Sequence, residues 1–139
     1  KATFPLGALY HGTKFAVEGL SEALHYELEP IGIKVKIVEP GMIETDFAGR
    51  SFDFVNDESL AEYQPTVQGL MTAMANLSSN KSPASLVAEV IWTAVTDETT
   101  TLRYTAGDDA VELMANRKAF DDETFIGGMK QQLGLQGTK

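Results

Sequence analysis

The chain has 139 residues, of which 43% are hydrophobic and 22% are charged, a composition that predicts one ordinary globular domain. A net charge of −9 and a pI of about 4.6 disfavour nucleic acid and anionic membrane surfaces as partners. The absence of cysteine excludes a disulfide framework, and two histidines, His11 and His25, are too few for a convincing metal cluster. The sequence has neither a long apolar run nor a signal-peptide pattern, so we expect a cytoplasmic protein that does not insert into a membrane.

The first element is a long helix. Residues 1–8 are expected to form a loop, and the helix is expected to begin at about Leu9 and to end before Pro30 and Gly32. Apolar residues recur along it at helical spacing: Phe15, Ala16, Leu20, Ala23, Leu24 and Leu28.

The first turns of this helix contain the segment Tyr10-His11-Gly12-Thr13-Lys14. Side chains four residues apart project from one face of a helix, so Tyr10 and Lys14 are predicted neighbours. An ammonium beside a phenol lowers the phenol pKa from its ordinary value of about 10, which suits it to exchange a proton with a carbonyl or an alcohol. The alternative is a solvated pair, which is the more common situation at this spacing when the pentapeptide is considered alone.

The second element is a strand, predicted over Ile33–Glu39 from its alternating apolar residues and ended by Pro40-Gly41. A loop at the carboxyl end of a strand in an α/β sheet is where ligands bind. Residues 42–58 are expected to be this loop, with at most a short helical turn. Its apolar residues either pack on the body of the protein or form a lid over an apolar substrate, and the sequence leaves both open: Phe47, Phe52, Phe54 and Val55.

The remaining elements are predicted as helices over 59–78, 83–97 and 110–120, a strand over 102–105 and a weaker helical tail over 121–135. Ser82 is the predicted N-cap of the helix at 83–97, and Pro83 its first residue. The order helix, strand, helix, helix, strand, helix predicts an α/β protein with a parallel sheet. Two strands are too few for an independent parallel sheet, and the chain begins with Lys1, so we expect an N-terminal part of the domain to be absent.

Three motifs in this order resemble the C-terminal half of a classical short-chain dehydrogenase/reductase. They are Tyr10-x-x-x-Lys14 at the start of a helix, Gly32-Ile33-Lys34-Val35 leading into a strand, and Glu39-Pro40-Gly41-Met42-Ile43-Glu44-Thr45 at its end. The resemblance runs from Phe4 to about Asp109. It implies part of a doubly wound Rossmann-type parallel sheet whose dinucleotide-phosphate-binding half is missing. The chain would be one incomplete domain, in which 1–58 hold the active-site helix, strand and nicotinamide loop and 59–139 hold the C-terminal helices and last strand.

The resemblance also implies an NAD- or NADP-dependent oxidoreductase that acts on a carbonyl or alcohol, and the apolar loop at 42–58 suggests that this substrate is apolar. Tyr10 would be the general acid/base, and Lys14 would lower its pKa and bind the nicotinamide ribose. The remaining cofactor contacts would come from Pro40, Gly41, Met42, Ile43 and Thr45. The substrate contacts would come from Phe4, Pro5, Leu6, Met42 and Phe47. A homodimer or homotetramer is the implied assembly.

The sequence also departs from the family pattern. It has no glycine-rich phosphate-binding turn after a strand and no Asn-Asn-Ala-Gly stretch, and none of Lys1 to Leu9 is the family's catalytic serine. Two hypotheses follow. In one, the parent protein is a nicotinamide-dependent oxidoreductase. In the other, the chain is an inactive truncated fragment that binds no cofactor on its own and serves only as a structural or interaction half.

Overall fold

Short parallel strands and the helices between them form the fold in the computed structural model, which describes residues 1–77 and 81–135. The α-helices are α1 (Ala8–Leu28), α2 (Phe47–Arg50), α3 (Gln64–Leu77), α4 (Ala84–Thr96), α5 (Asp108–Ala119) and α6 (Asp122–Gln132). The strands are β1 (Ile37–Pro40), β2 (Ile43–Glu44), β3 (Ser82–Pro83) and β4 (Arg103–Ala106). Turns of 3₁₀-helix lie at Glu29–Ile31 and Ala61–Tyr63.

The two main strands confirm the predicted parallel pairing. β1 lies beside β4, with Ile37 opposite Arg103 and Pro40 opposite Ala106. Parallel neighbours need a crossover connection, and α4 lies in that connection and packs against both strands. The carboxyl ends of β1 and β4 therefore lie side by side, which brings Gly41 next to the turn at Gly107.

The strand predicted over Ile33–Glu39 is shorter in the structure. Only Ile37–Pro40 pair with β4, so the strand begins four residues later and ends one residue later than predicted. In the preceding segment the side chains make the contacts: Lys34 Nζ donates to the carbonyl of Glu98, and Lys36 Nζ donates to those of Thr99 and Thr101.

The prediction for Ser82 and Pro83 is wrong. These residues form β3, a strand too short to be read from the sequence, which pairs in parallel with β2. Ser82 donates its backbone N–H to the carbonyl of Met42 at 2.9 Å, and Pro83 occupies the N-cap position of α4 with extended backbone angles. The pairing with β2 holds Ser82 outside the helix, so α4 begins at Ala84.

The other helices follow their predicted order with small shifts. The helix predicted from Ala110 begins at Asp108, because Gly107 turns the chain at φ +105° directly after β4. Asp121 caps α6 by accepting the N–H of Thr124, and the helix continues through Gly127-Gly128. The helix predicted over 59–78 begins at Gln64, and its predicted last residue, 78, lies outside the described residues.

Small residues bring the helices close to the sheet. Ala94 of α4 and Ala106 of β4 are almost completely buried, as is Ala110 of α5. Close approach of these elements needs short side chains at the contact, which explains alanine at all three positions. Within the two described ranges, no helix is both long and apolar enough to cross a membrane.

Candidate functional site

The first turns of α1 bring Tyr10 and Lys14 together. Lys14 Nζ lies over the phenol ring of Tyr10, 5.5 Å from its centroid. Both side chains are exposed, Tyr10 to 46%. An ammonium at this distance from an exposed aromatic ring is attracted to its face by about 0.5–1 kcal/mol. The pair is thus held together by a local interaction, on a side of the helix that a ligand can reach.

The segment before α1 is attached to the same turn through His11. The backbone N–H of Phe4 donates to Nε2 of His11 at 3.0 Å, and the two rings pack edge to face with centroids 4.3 Å apart. The ring of Tyr10 also contacts that of His11, 5.5 Å away. Burial lowers the pKa of His11, which agrees with a neutral imidazole whose Nε2 accepts a hydrogen bond. This role of His11 is not predicted from the sequence, where the available signal is its position next to Tyr10.

The predicted substrate residues at 4–6 end in an unusual backbone conformation. Leu6 has φ +63°, which is uncommon for a residue with a branched side chain and tends to mark functional segments. Pro5 is half-buried, and Leu6 lines a cleft of about 250 Å³. The rest of its lining comes from residues 53–57 and from three side chains that follow them: Leu60, Tyr63 and Val67.

The loop at 42–58 combines buried and exposed aromatic residues. Phe52 and Phe54 are half-buried and stack with centroids 5.8 Å apart, while Phe47 at the start of α2 is 47% exposed. Packing therefore explains part of this apolar set. Phe47 and Val55 stay accessible.

The predicted nicotinamide segment, residues 40–45, is held by hydrogen bonds from three other segments. Gly41 donates its N–H to the carbonyl of Ala106 at 2.9 Å. Met42 donates its N–H to Oδ2 of Asp109 at 2.6 Å, and its carbonyl accepts the N–H of Ser82. The sequence does not predict the contact of Asp109 with Met42, because nothing in the local pattern separates Asp109 from any other acidic residue at the start of a helix.

The same segment borders a second cleft. It has a volume of about 370 Å³, within the range of small-molecule sites, and its lining is apolar. Its walls come from the segment and from one face of α4: Pro40, Ile43, Thr45, Ala84, Val87, Ala88 and Ile91. Among the described residues, no hydrogen bond or ring contact joins Tyr10 or Lys14 to this segment.

These residues fit one end of a nicotinamide dinucleotide. An apolar wall beside exposed Thr45 offers a surface for a planar ring and a hydroxyl for an amide. The turn from β4 into α5 does not suit the pyrophosphate, because Asp108 and Asp109 in the first turn of the helix would repel it. The fit is thus to the nicotinamide end.

Comparison with known proteins points the same way. Residues 1–56 match the family model described as short chain dehydrogenase. Two uncharacterized oxidoreductases of Schizosaccharomyces pombe are each 45% identical over 140 residues, covering 97% of this chain and 56% of the yeast proteins. The 17-beta-hydroxysteroid dehydrogenase type 6 of Mus musculus is 28% identical over 122 residues, covering 75% of this chain and 36% of that protein. The chain spans about half the length of the yeast relatives.

Proposed function

Because this chain belongs to the short-chain dehydrogenase family, we propose that the whole protein is an NAD(P)-dependent oxidoreductase in which Tyr10 is the general acid/base. The observation that carries the proposal is the contact of Lys14 Nζ with the Tyr10 ring, 5.5 Å from its centroid and within the region that matches the family model. When bound, the cofactor supplies the hydride in reduction and accepts it in oxidation.

The proton is the part of the reaction assigned to this chain. In reduction, the Tyr10 hydroxyl gives its proton to the carbonyl oxygen as the carbonyl carbon becomes an alcohol carbon. In oxidation, the proton returns to Tyr10 as the carbonyl re-forms. Negative charge develops on the phenol oxygen when the proton leaves, and the ammonium of Lys14 stabilises that charge. Lys14 would also hydrogen-bond the nicotinamide ribose.

The nicotinamide wall is assigned to residues 40–45, with contacts from Pro40 to Ile43 and from Thr45. Support comes from the apolar cleft that this segment borders and from the hydrogen bonds that hold its backbone at Gly41 and Met42. In this proposal β1 and β4 are the last strands of a doubly wound Rossmann-type sheet. Residues 1–58 then carry the reacting groups, and 59–139 support them.

The substrate is proposed to be an apolar carbonyl or alcohol. The predicted contacts are Phe4, Pro5, Leu6, Met42 and Phe47. The exposed aromatic ring of Phe47 and the cleft beside Leu6 support an apolar substrate. The mouse relative is named for a hydroxysteroid, a ligand of the same character.

The proposal is tested by Tyr10→Phe in the whole protein, assayed with NADH and NADPH against a panel of aliphatic and steroid ketones. The phenylalanine keeps the ring and removes the proton, so turnover is expected to fall at least about 10²-fold while the cofactor dissociation constant stays nearly unchanged. Tyr26→Phe, a change of the same kind at an exposed tyrosine on α1, is the matched control and should leave turnover intact. Near-normal turnover in Tyr10→Phe would exclude Tyr10 from the chemistry.

A further inference from the structure

Asp109 lies 67 residues after Met42 in the sequence but contacts it directly. Its Oδ2 accepts the backbone N–H of Met42 at 2.6 Å, a short contact of the kind that a charged acceptor makes. The side chain is half-buried, so this hydrogen bond is partly shielded from competing water.

Two glycines make room for this carboxylate. A Cβ atom at Gly41 would lie 2.1 Å from Oδ1 of Asp109, and one at Gly107 would lie 2.6 Å from the same atom. Gly107 is buried and has φ +105°, where a side chain is strained in any case. At Gly41 the reason for glycine is the carboxylate. Asp109 therefore lies near the carboxyl ends of β1 and β4, in space that Gly41 and Gly107 leave free because they have no side chain.

In this position Asp109 is bonded to the backbone of the chain directly after β1. The N–H of Gly41 is bonded to Ala106 and the carbonyl of Met42 to Ser82. Two backbone groups lie between them, the carbonyl of Gly41 and the N–H of Met42, and the N–H of Met42 is bonded to Asp109. Three hydrogen bonds therefore hold the chain where it leaves β1, and the bond to Asp109 is the one that a side chain supplies.

We propose that Asp109 is a positioning residue that fixes the backbone of Gly41 and Met42 and thereby aligns the nicotinamide wall. The inference rests on the proposed function, because that function makes residues 40–45 the nicotinamide wall. It goes beyond a general effect of negative charge at the start of a helix, since Asp108 provides the same charge in the same turn of α5 and is exposed. Asp108→Ala is therefore the matched control.

The first experiment measures binding to the whole protein of two probes, the preferred nicotinamide dinucleotide and the matching ADP-ribose, which lacks the nicotinamide. Asp109→Ala is expected to weaken dinucleotide binding roughly tenfold, as for loss of a charge-assisted hydrogen bond, and to leave ADP-ribose binding unchanged. Asp109→Asn keeps an acceptor for Met42 and should restore most of the affinity, and Asp108→Ala should change neither constant. The proposal would be overturned if Asp109→Ala weakened the binding of both probes equally, if it changed the binding of neither, or if it failed to fold.

A second experiment uses the contact with Gly41. Gly41→Ala should displace the carboxylate and weaken dinucleotide binding as Asp109→Ala does, but it should add little in a protein that already carries Asp109→Ala. Amide hydrogen exchange at Met42, measured without cofactor, should accelerate in Asp109→Ala and stay slow in Asp108→Ala. Additive effects, or unchanged exchange at Met42, would overturn the inference alone. A wild-type protein that binds neither probe would overturn the proposed function with it.

Discussion

The backbone N–H of Phe4 donates a hydrogen bond to Nε2 of His11 at 3.0 Å, and His11 is only 9% exposed. The bond ties the segment before α1 to its first turn, next to Tyr10. A side chain at Gly7 would also collide with the ring of Phe4, at 2.9 Å, so the turn is closely packed. His11 thus holds the proposed substrate residues against the proposed catalytic residue.

Removal of the imidazole should therefore loosen the segment. In His11→Ala, Phe4 loses its acceptor, and we expect the free energy of unfolding to fall by about 1–3 kcal/mol. His11→Gln can place an acceptor near the position of Nε2 and should recover part of the loss. Urea unfolding of the two variants measures both effects, and equal stability of His11→Ala and wild type would show that the bond contributes nothing.

The hydrogen bond of His11 also predicts a pH dependence. Burial lowers the pKa of His11 below the ordinary 6.5, so below that pH the unfolded chain binds more protons than the folded one. The neutral His11 imidazole therefore contributes its full stabilisation of the fold above pH 6.5. Below that pH the free energy of unfolding falls, by at most about 1.4 kcal/mol per pH unit for one proton. Unfolding measured from pH 7.5 to 5, about the range in which histidine titrates, should show this slope in wild type and not in His11→Gln. His25 is common to both proteins, and parallel curves would contradict the prediction.

Lys14 is expected to act on both proton transfer and cofactor binding. Lys14→Ala removes the charge that stabilises Tyr10 when it is deprotonated, and we expect turnover to fall by roughly 10²-fold. It also removes the proposed ribose contact, so the cofactor dissociation constant should rise. Lys118→Ala, at an exposed lysine of α5, is the control for loss of one positive charge. If Lys14→Ala changed stability alone, Lys14 would be an ordinary solvated residue.

At the amino ends of β1 and β4, a second lysine and tyrosine form a different arrangement. Lys36 Nζ donates to Oδ1 of Asp97 at 3.1 Å, to Oη of Tyr104 at 2.9 Å, and to the carbonyls of Thr99 and Thr101. Tyr104 donates its hydroxyl proton to the other oxygen of Asp97. The hydroxyls of Tyr104 and Thr99 and the ammonium of Lys36 hold the pKa of Asp97 well below its usual value of 3.8. The cluster attaches the loop after α4 to β1.

Acid should weaken this cluster. The folded-state pKa of Asp97 is lowered, so its stabilisation is present above about pH 3.8, the value for an unperturbed carboxyl, and is lost as the pH falls below that. Asp97→Asn should lower the Tm at pH 7. Below pH 4, where carboxylates of this type titrate, its Tm should fall less steeply than that of wild type. Thermal unfolding followed by circular dichroism across this range gives both quantities. Tyr104→Phe should cause a smaller loss at neutral pH, and acid curves of Asp97→Asn parallel to wild type would argue against the prediction.

The assembly prediction concerns the outer face of α1. Leu9, Val17 and Leu20 lie on one side of the helix and are exposed, Leu20 to 62%. The family resemblance implies a closed homodimer or homotetramer for the whole protein, and we expect a second copy to cover this exposed apolar stripe. Sedimentation equilibrium should give a lower mass for Leu20→Glu, whereas Val111→Glu on the exposed side of α5 should not change it. A monomeric wild type would contradict the prediction.

Several features of the fold are readable from local pattern because they depend on residues close in sequence. The spacing of Tyr10 and Lys14 predicts their contact, since four residues make about one turn of helix. The order of helices and strands likewise predicts parallel pairing of β1 and β4, because a helical crossover returns the chain in the same direction. The role of Tyr10 in proton transfer stays a prediction.

Other features depend on residues far apart in sequence, and the local pattern was misleading there. Ser82 and Pro83 form a strong helix-start signal, but a strand partner at Ile43 takes Ser82 out of the helix. The alternation from Ile33 predicts a long strand, but a ladder is only as long as the partner strand beside it.

Local sequence pattern is therefore enough to predict the order of the helices and main strands, the direction of their pairing and the neighbouring positions of Tyr10 and Lys14. The contact of Asp109 with the N–H of Met42, and the room that Gly41 leaves for it, are visible only in the folded chain. The physical reason is distance along the chain. A contact within one helical turn follows from backbone geometry, whereas a contact across 67 residues exists only after β1 and β4 have paired and brought their carboxyl ends together.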